Sequence, residues 1–428
     1  MYRALAALAI VVGCARPAPT EVGDRYLTID RDAIATARAV THGKLHVIDS
    51  DGEIALLTVP AQDLDALSEQ MHEQHHRCGG FVIYDSLDDA ELSLHAAVHD
   101  GGDRIDYTLD HAGVVNAMLP DVDAARILDT IRQLSAMKNR YYRSESGAAA
   151  SLWLRDKWRS FTTRTDVTVE LFDQGYEQKS VILTIPGTTR KNEIVVVGGH
   201  LDSIAIGGTS SNAPGADDDA SGIATLTEVA RVLLAKDFHP ARTIKFMAYA
   251  AEEVGLRGSQ AIVRDFKKRN VIDNVVGALQ LDMTNYRGSD RDIWLMSDFT
   301  SAAQNTFLSR LIEAYVGATW GVDKCGYACS DHASWNRAGV PASMPFESRM
   351  RDGNNKIHSA RDTLEVSDNN AAHAVKFARL GTAYAIELAK GELGDGPPAS
   401  PPHRTPWLAL LAGLVVVGAG LRFVTRAA

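Results

Sequence analysis

Between residues 25 and 85, the apolar and polar positions predict a short domain in which strands and helices alternate. The elements, in order strand, helix, strand, strand, helix and strand, cover residues 26–29, 32–40, 45–48, 54–59, 63–77 and 81–84. This order is that of the split βαβ, or ferredoxin-like, arrangement. We therefore expect a small α+β domain over residues 25–85, followed by an acidic, irregular linker over residues 86–116.

Residues 117–392 alternate strands and helices on a larger scale. A helix predicted over 221–234 carries its apolar side chains at helical spacing. Short, fully apolar strands are predicted at 180–185, 194–197, 243–250, 275–281 and 293–296. Such strands, separated by helices, are typical of an α/β fold in which helices cover both faces of a mixed, mostly parallel sheet.

Both ends of the chain have the composition of targeting segments. Residues 1–14 combine a basic residue with a short apolar run, which predicts a signal peptide. Residues 11–14 also resemble a bacterial lipobox, in which Cys14 carries lipid; a plain signal peptide is the alternative. A Pro-rich linker (393–406) precedes an apolar, arginine-ended segment (407–428), which predicts a membrane or sorting tail. The alternative for the tail is a buried helix. We expect an exported protein, held at the cell envelope or secreted after processing.

The composition excludes several classes of function. Lys and Arg total 44 against 54 Asp and Glu, a net charge of −10, and no basic cluster follows a predicted groove. Nucleic-acid binding is therefore disfavoured. No G-x-S-x-G sequence occurs, which disfavours a serine hydrolase. Four cysteines in 428 residues are too few for a disulfide scaffold.

Polar side chains follow three of the predicted strands. His200 lies just after strand 194–197, the pair Glu252 and Glu253 follows 243–250, and Asp282 ends 275–281. Ligands bind at the carboxyl ends of strands in open α/β sheets. An acidic run at 217–219 opens a helix, and a second histidine occurs late in the chain at 358. Two imidazoles and several carboxylates in an exported protein indicate a site for zinc or a similar divalent ion.

Six motifs surround these residues in one order along the chain. They are GGHLDS (198–203), APGADDDASG (213–222), AEEVGLRGS (251–259), LDMTNY (281–286), CGYACSDHASW (325–335) and MPFES (344–348). Together they resemble secreted bacterial leucyl aminopeptidases of the co-catalytic dizinc metallopeptidase family. The resemblance implies the zinc aminopeptidase fold over 117–392. It also implies hydrolysis of the first peptide bond of peptides with an apolar, Leu-like N-terminal residue, by a water held between the metals.

The resemblance implies two Zn²⁺ ions per catalytic domain and a ligand set for them. Asp218 would bridge the ions. His200 and Asp282 would complete one site, and Glu253 and His358 would complete the other. Every one of these positions carries the required residue. The peptide bond between Asp218 and the following residue is expected to be cis.

The resemblance also implies the residues around the metals. Glu252 would be the general base, and Asp202 would hold the second ring nitrogen of His200. Tyr327 would stabilise the oxyanion, with a packed aromatic side chain as the alternative. Cys325 and Cys329 are expected to form a disulfide, with a thiolate metal site as the alternative. An apolar substrate pocket would be lined by Met283, Met296, Tyr327, Met344, Phe346 and Ile357.

Two other functions are compatible with the same fold. A glutaminyl cyclase would have the same fold with one zinc, and a catalytically inactive surface binding module would lack the hydrolysis.

The HExxH-type sequence at 72–76 has no third ligand at a familiar spacing, which favours a chance match. The resemblance implies that the N-terminal domain is propeptide-like and would cover the active-site mouth. A small buried thiol is the favoured interpretation of Cys78, and a removable ligand of the metals is the alternative. A monomer is expected.

Overall fold

The structure, a computed structural model, describes residues 23–75, 77, 79–84, 86–95, 105–205 and 207–394. The predicted signal peptide with Cys14, the predicted C-terminal tail and most of the Pro-rich linker lie outside these residues, as does Cys78. Within the described ranges, no helix combines the length and the apolar character that crossing a membrane requires.

The N-terminal domain is a four-stranded antiparallel sheet with two helices. The strands follow one another across the sheet in the order β2-β3-β1-β4. This is the split βαβ arrangement that the apolar pattern predicts. Its core contains Leu27, Leu57 and Leu67, which are fully buried. The elements are β1 (Asp24–Asp30), α1 (Ile34–Val40), β2 (His46–Asp51), β3 (Ile54–Pro60), α2 (Leu64–Gln70) and β4 (Phe81–Tyr84).

Two parts of this region differ from the prediction. The second helix does not run to residue 77, because α2 ends at Gln70 and continues as a single π-helical turn over Met71–His75. The predicted linker begins instead with a helix, α3 (Leu87–Leu94). Its N-terminus is capped by the Ser86 hydroxyl, and its apolar side packs on the buried side chain of Leu56. The acidic residues that suggest a linker lie on the other side of this helix.

Residues 105–205 and 207–394, called the catalytic region after the activity that the sequence resemblance implies, contain a six-stranded mixed sheet among the residues described. The strands are β5 (Thr168–Phe172), β6 (Ser180–Ile185), β7 (Arg190–His200), β9 (Arg242–Tyr249), β10 (Val275–Gln280) and β13 (Ala342–Ser343). Their order is β13-β10-β7-β9-β6-β5. The pairs from β13 to β9 are parallel, and β6 and β5 add antiparallel strands at one edge. The predicted mixed, mostly parallel sheet is confirmed.

Further helices and short strands complete the region. The helices are α4 (Ala112–Met118), α5 (Ala124–Ser135), α6 (Glu145–Arg159), α7 (Ala220–Ala235), α8 (Arg257–Lys268), α9 (Ala302–Leu311), α10 (His332–Asn336) and α11 (Ala374–Ala389). The short strands are β8 (Phe238–Pro240), β11 (Ile293–Met296), β12 (Trp320–Asp323), β14 (Pro345–Phe346) and β15 (Gly391–Leu393). Strands β12, β11 and β14 form one small sheet, and β15 pairs with β8.

Helices cover both faces of the central sheet because its strands are apolar on both sides. Along β7, Val195 and Val197 contact the core that contains α5, α6, α7 and α11. Ile194 and Val196 contact the opposite core, which contains α8 and α10. Successive side chains of a strand point to opposite faces, so a continuous apolar run buries both. The sheet is therefore a rigid layer, and the loops at its strand ends are left to carry polar residues.

Candidate active site

Three adjacent parallel strands bring the predicted polar residues to one edge of the sheet. His200 is the last residue of β7, opposite Tyr249 at the end of β9. Glu252 and Glu253 follow β9, and Asp282 follows β10 on the other side of β7. The carboxyl ends of parallel strands open at one edge, so residues far apart in sequence meet there.

Asp218 lies between two histidines. Its Oδ1 is 3.0 Å from Nε2 of His200, and its Oδ2 is 3.1 Å from Nε2 of His358. Asp282 Oδ1 is 3.5 Å from the same nitrogen of His200, and Glu253 Oε2 is 3.2 Å from that of His358. The five predicted ligands therefore form two groups that share the Asp218 carboxylate. The peptide bond that follows Asp218 is cis, as the resemblance implied.

These separations fit metal ligation. Nitrogen and oxygen ligands about 2.0–2.2 Å from a tetrahedral zinc ion lie roughly 3.3 Å from one another. The side chains of Asp218, Glu253 and Asp282 are buried, and Glu253 Oε1 accepts no hydrogen bond from the described residues. Several buried carboxylates beside two imidazoles leave an excess of negative charge that a divalent cation would balance.

The pKa values show the same excess of negative charge. Burial lowers the pKa of His358, but the carboxylates of Glu253 and Asp218 outweigh it and raise this pKa to about 10. The pKa of His200 is also raised well above its ordinary value, against burial, by Asp282 and Glu252. Positive charge is thus strongly favoured beside both imidazoles, as expected where a cation binds.

Two further carboxylates position the backbone around the site. Asp202 accepts hydrogen bonds from the N–H groups of Glu252 at 3.0 Å and Glu253 at 3.2 Å, and its Oδ1 is 3.5 Å from Nδ1 of His200. Asp219 accepts hydrogen bonds from three N–H groups, those of His200, Gly222 and Met283, at 2.8–3.0 Å. The structure therefore places Asp202 beside Nδ1 of His200, which forms no hydrogen bond with the described residues, and the hydrogen bonds of Asp202 go to the backbone. The sequence does not indicate that Asp219 lies at the junction of β7, α7 and the loop after β10, because an acidic residue at a helix start indicates only a cap.

Glu252 is fully buried, and neither of its carboxylate oxygens has a hydrogen-bond partner among the described residues. Burial raises its pKa well above the ordinary value, opposed by His200 and supported by Asp331 and Asp282. Ala251, just before it, has a left-handed φ of 56°, a conformation that favours glycine and is concentrated at functional sites. A buried carboxylate with two available lone-pair positions can accept a proton from a reacting group.

A cavity of about 530 Å³ opens beside these residues. Five of the six predicted pocket residues line it, namely Met283, Tyr327, Met344, Phe346 and Ile357. Met296 is fully buried and packs in the same apolar cluster without lining the cavity. The predicted disulfide between Cys325 and Cys329 is present, and the loop that it closes holds Tyr327 against the cavity.

The N-terminal domain also reaches this cavity. His72 and Glu73, from the π-helical turn after α2, are among the lining residues. Nε2 of His72 is 3.3 Å from Oε2 of Glu253. The sequence favours a chance match for the HExxH-type motif and gives no sign of this contact, because the partner of His72 is 181 residues away. The pairing of His72 with the histidine at 76 lies outside the described residues, as does the predicted approach of Cys78.

Comparison with known proteins bears on the chemistry of this site. A profile of peptidase family M28 matches residues 180–382. Leucine aminopeptidase 1 of Ajellomyces capsulatus is 36% identical over 299 residues, which are 67% of this chain and 76% of that protein. The crystal structure of the Legionella pneumophila LapA aminopeptidase aligns with a TM-score of 0.74 at 29% identity, over 87% of this chain and 100% of that one. The structure of LapB from the same organism aligns with a TM-score of 0.74 at 28% identity, over 86% and 100%.

The position of Asp219 leads to a stability prediction. In Asp219→Ala, three buried N–H groups lose their acceptor, and each such loss costs about 1–3 kcal/mol. We expect the free energy of unfolding to fall by about 3 kcal/mol or more in chemical denaturation, and by less in Asp219→Asn, which keeps one acceptor oxygen. The exposed Asp156→Ala is the control and should change it by less than about 0.5 kcal/mol. Equal stabilities of Asp219→Ala and the control would contradict this role.

Proposed function

Since the chain belongs to peptidase family M28 and is a metallo-aminopeptidase, we propose that it hydrolyses the first peptide bond of peptides at a centre of two zinc ions. The observation that carries this proposal is the position of Asp218, whose two oxygens face the imidazoles of His200 and His358. A carboxylate in this position is the common element of two ligand groups. Asp282 would complete one group and Glu253 the other.

The proposed roles of the side chains follow from their surroundings. Zinc, when bound, supplies Lewis-acid activation of water and of the substrate carbonyl. Glu252 has two oxygens without partners among the described residues and a raised pKa, so it suits a group that takes a proton from the attacking water and returns it to the leaving amine. The Asp202 carboxylate positions Glu252 by accepting a hydrogen bond from the backbone N–H of Glu252. Tyr327 lines the cavity, where its hydroxyl would stabilise the developing oxyanion.

We propose that the preferred substrates have an apolar, Leu-like first residue. The cavity has an apolar side, where Met283, Met344, Phe346 and Ile357 belong to one cluster that matches such a residue; charged side chains, among them those of Arg351 and Arg361, also line the cavity. Met350 and Gly353 also line it. We expect kcat/KM for a leucine anilide to exceed that for a glutamate anilide at least tenfold, because the cluster of Met283, Met344 and Phe346 offers a side-chain carboxylate no hydrogen-bond donor. Equal values would contradict the apolar preference.

The proposed base leads to a kinetic prediction. Glu252→Gln keeps the size of the side chain but cannot accept the proton, so kcat for leucine anilide hydrolysis should fall about 10²–10⁴-fold. Zinc content, measured by elemental analysis, should not change, because this residue is not one of the five proposed ligands. Glu170→Gln, an exposed change on the edge strand β5, is the matched control. A Glu252→Gln protein with undiminished kcat would refute the assignment of the base.

The number of metal ions separates the proposal from a glutaminyl cyclase. We expect two zinc ions per wild-type chain, loss of hydrolysis on chelation, and recovery when zinc is returned. His200→Ala and His358→Ala should each lower the zinc content by at least one ion per chain, because each imidazole belongs to a different ligand group. One zinc ion per wild-type chain, with cyclisation of N-terminal glutamine, would support the cyclase instead.

We also propose export, with lipid on Cys14 or a membrane-held C-terminal tail. The support comes from the composition of residues 1–14 and 407–428 and from the disulfide, which is typical of oxidising compartments. Fractionation of cells that express the full chain and Cys14→Ala tests it. Wild-type protein that stays in the cytoplasm would argue against export.

A further inference from the structure

One side chain of the N-terminal domain lies among the proposed metal ligands. Nε2 of His72 is 3.3 Å from Oε2 of Glu253, and the centres of the His72 and His358 rings are 4.1 Å apart. Nε2 of His358 is 3.2 Å from the same oxygen of Glu253. One ligand atom from each of these three residues lies within 4.8 Å of the other two. His72 is therefore at the distance from Glu253 that two ligands of one tetrahedral ion have, roughly 3.3 Å.

Contacts around His72 hold it in this position. The Ser68 hydroxyl donates a 2.7 Å hydrogen bond to the backbone carbonyl of Glu253 itself. Asp65 accepts a 2.9 Å hydrogen bond from the hydroxyl of Tyr142 in the catalytic region. Gly79, with a φ of +53°, lies so close to the catalytic backbone that a Cβ there would be 2.7 Å from the nitrogen of residue 255. The N-terminal domain thus docks on the loop that carries Glu253, and His72 keeps only 6% of its surface exposed.

The hydrogen bonding of His72 is poor for a buried imidazole. Its Nδ1 has no hydrogen-bond partner among the described residues. Its Nε2 receives a long hydrogen bond, 3.4 Å, from the N–H of Gly79, and faces the Glu253 carboxylate at 3.3 Å. Buried polar groups in proteins are normally paired. A cation between Nε2 of His72 and the Glu253 carboxylate would satisfy both groups.

We infer that His72 is an additional ligand of the metal centre, which the N-terminal domain supplies to the ion held by Glu253 and His358. This inference rests on the proposed function, because it requires the metal ion. The imidazole lone pair would occupy the coordination position that faces the cavity, where substrate must approach. A peptide then binds only in the fraction of molecules in which His72 has left, which lowers its apparent affinity.

Full-length chain loaded with Co²⁺ alone gives a readout that does not depend on activity. His72→Gln removes the ligand and keeps a polar side chain, and His72→Cys replaces it with a thiolate. His75→Ala is the matched control, because His75 lies in the same turn but contacts the Thr36 hydroxyl at 2.9 Å. The measurements are the visible and near-ultraviolet absorption of bound Co²⁺, its rate of release to a chelator, and thermal unfolding of each variant.

We expect His72→Gln to change the visible Co²⁺ spectrum and to speed release of the ion about tenfold or more. His72→Cys should add a thiolate-to-metal charge-transfer band, a signal that does not depend on the stability of His72→Gln. His75→Ala should match the wild type in both. With zinc bound, His72→Gln should raise kcat/KM for leucine anilide about tenfold, because the competing ligand is gone.

Two failures are distinguishable. In the first, the wild-type chain binds Co²⁺ and hydrolyses leucine anilide, the His72 variants have the same Co²⁺ spectrum and release rate as the wild type, and His72→Cys shows no charge-transfer band. His72 is then not a ligand, and only this inference is overturned. If the wild-type chain binds no Co²⁺ and has no hydrolytic activity with zinc, the proposed metal centre is wrong, and the inference is overturned with it.

Discussion

The buried carboxylate of Asp218 is the constraint on which the site depends, because it must lie between two imidazoles from distant parts of the chain. Its oxygens face His200 and His358 at 3.0 and 3.1 Å, and Glu253 and Asp282 add further negative charge next to them. Burying several carboxylates together is strongly unfavourable unless positive charge accompanies them. The centre is consequently a place where cation binding and the folded arrangement of three strand ends stabilise each other.

The backbone around this charge is held by two carboxylates that do not belong to the proposed ligand set. Asp202 connects the ring of His200 to the N–H groups of Glu252 and Glu253, and Asp219 connects β7 to α7 and to the loop after β10. Each therefore sets the relative position of groups from more than one element. The central sheet is packed on both faces, so the strand ends from which these loops start are held in fixed positions. The distances between the ligands and the proposed base are therefore fixed, because hydrogen bonds of Asp202 and of Asp219 each join more than one of the segments that carry these residues.

The N-terminal domain belongs to the same physical system. Its helix α2 and the turn after it contact the Glu253 loop through Ser68 and His72. When the domain is docked in this way, the side chain of His72 also lines the cavity. With His72 as a ligand, the metal ion contributes to docking, and docking in turn limits access of peptides to the ion. This coupling is reciprocal, since any ligand that displaces His72 must also weaken the hold of the domain.

The sequence alone determined the α/β class, the ferredoxin-like order of the first domain and the position of His200, Glu253 and Asp282 at strand ends. Each depends on local periodicity, because apolar runs define strands and a parallel sheet gathers the residues at their carboxyl ends along one edge. The six long motifs, in their order along the chain, also indicated the family. The three-fold acceptor role of Asp219, the helix α3 and the approach of His72 to Glu253 were decided by tertiary structure. They depend on contacts between segments up to 181 residues apart and on a π-helical turn that apolar spacing does not distinguish from an α-helix.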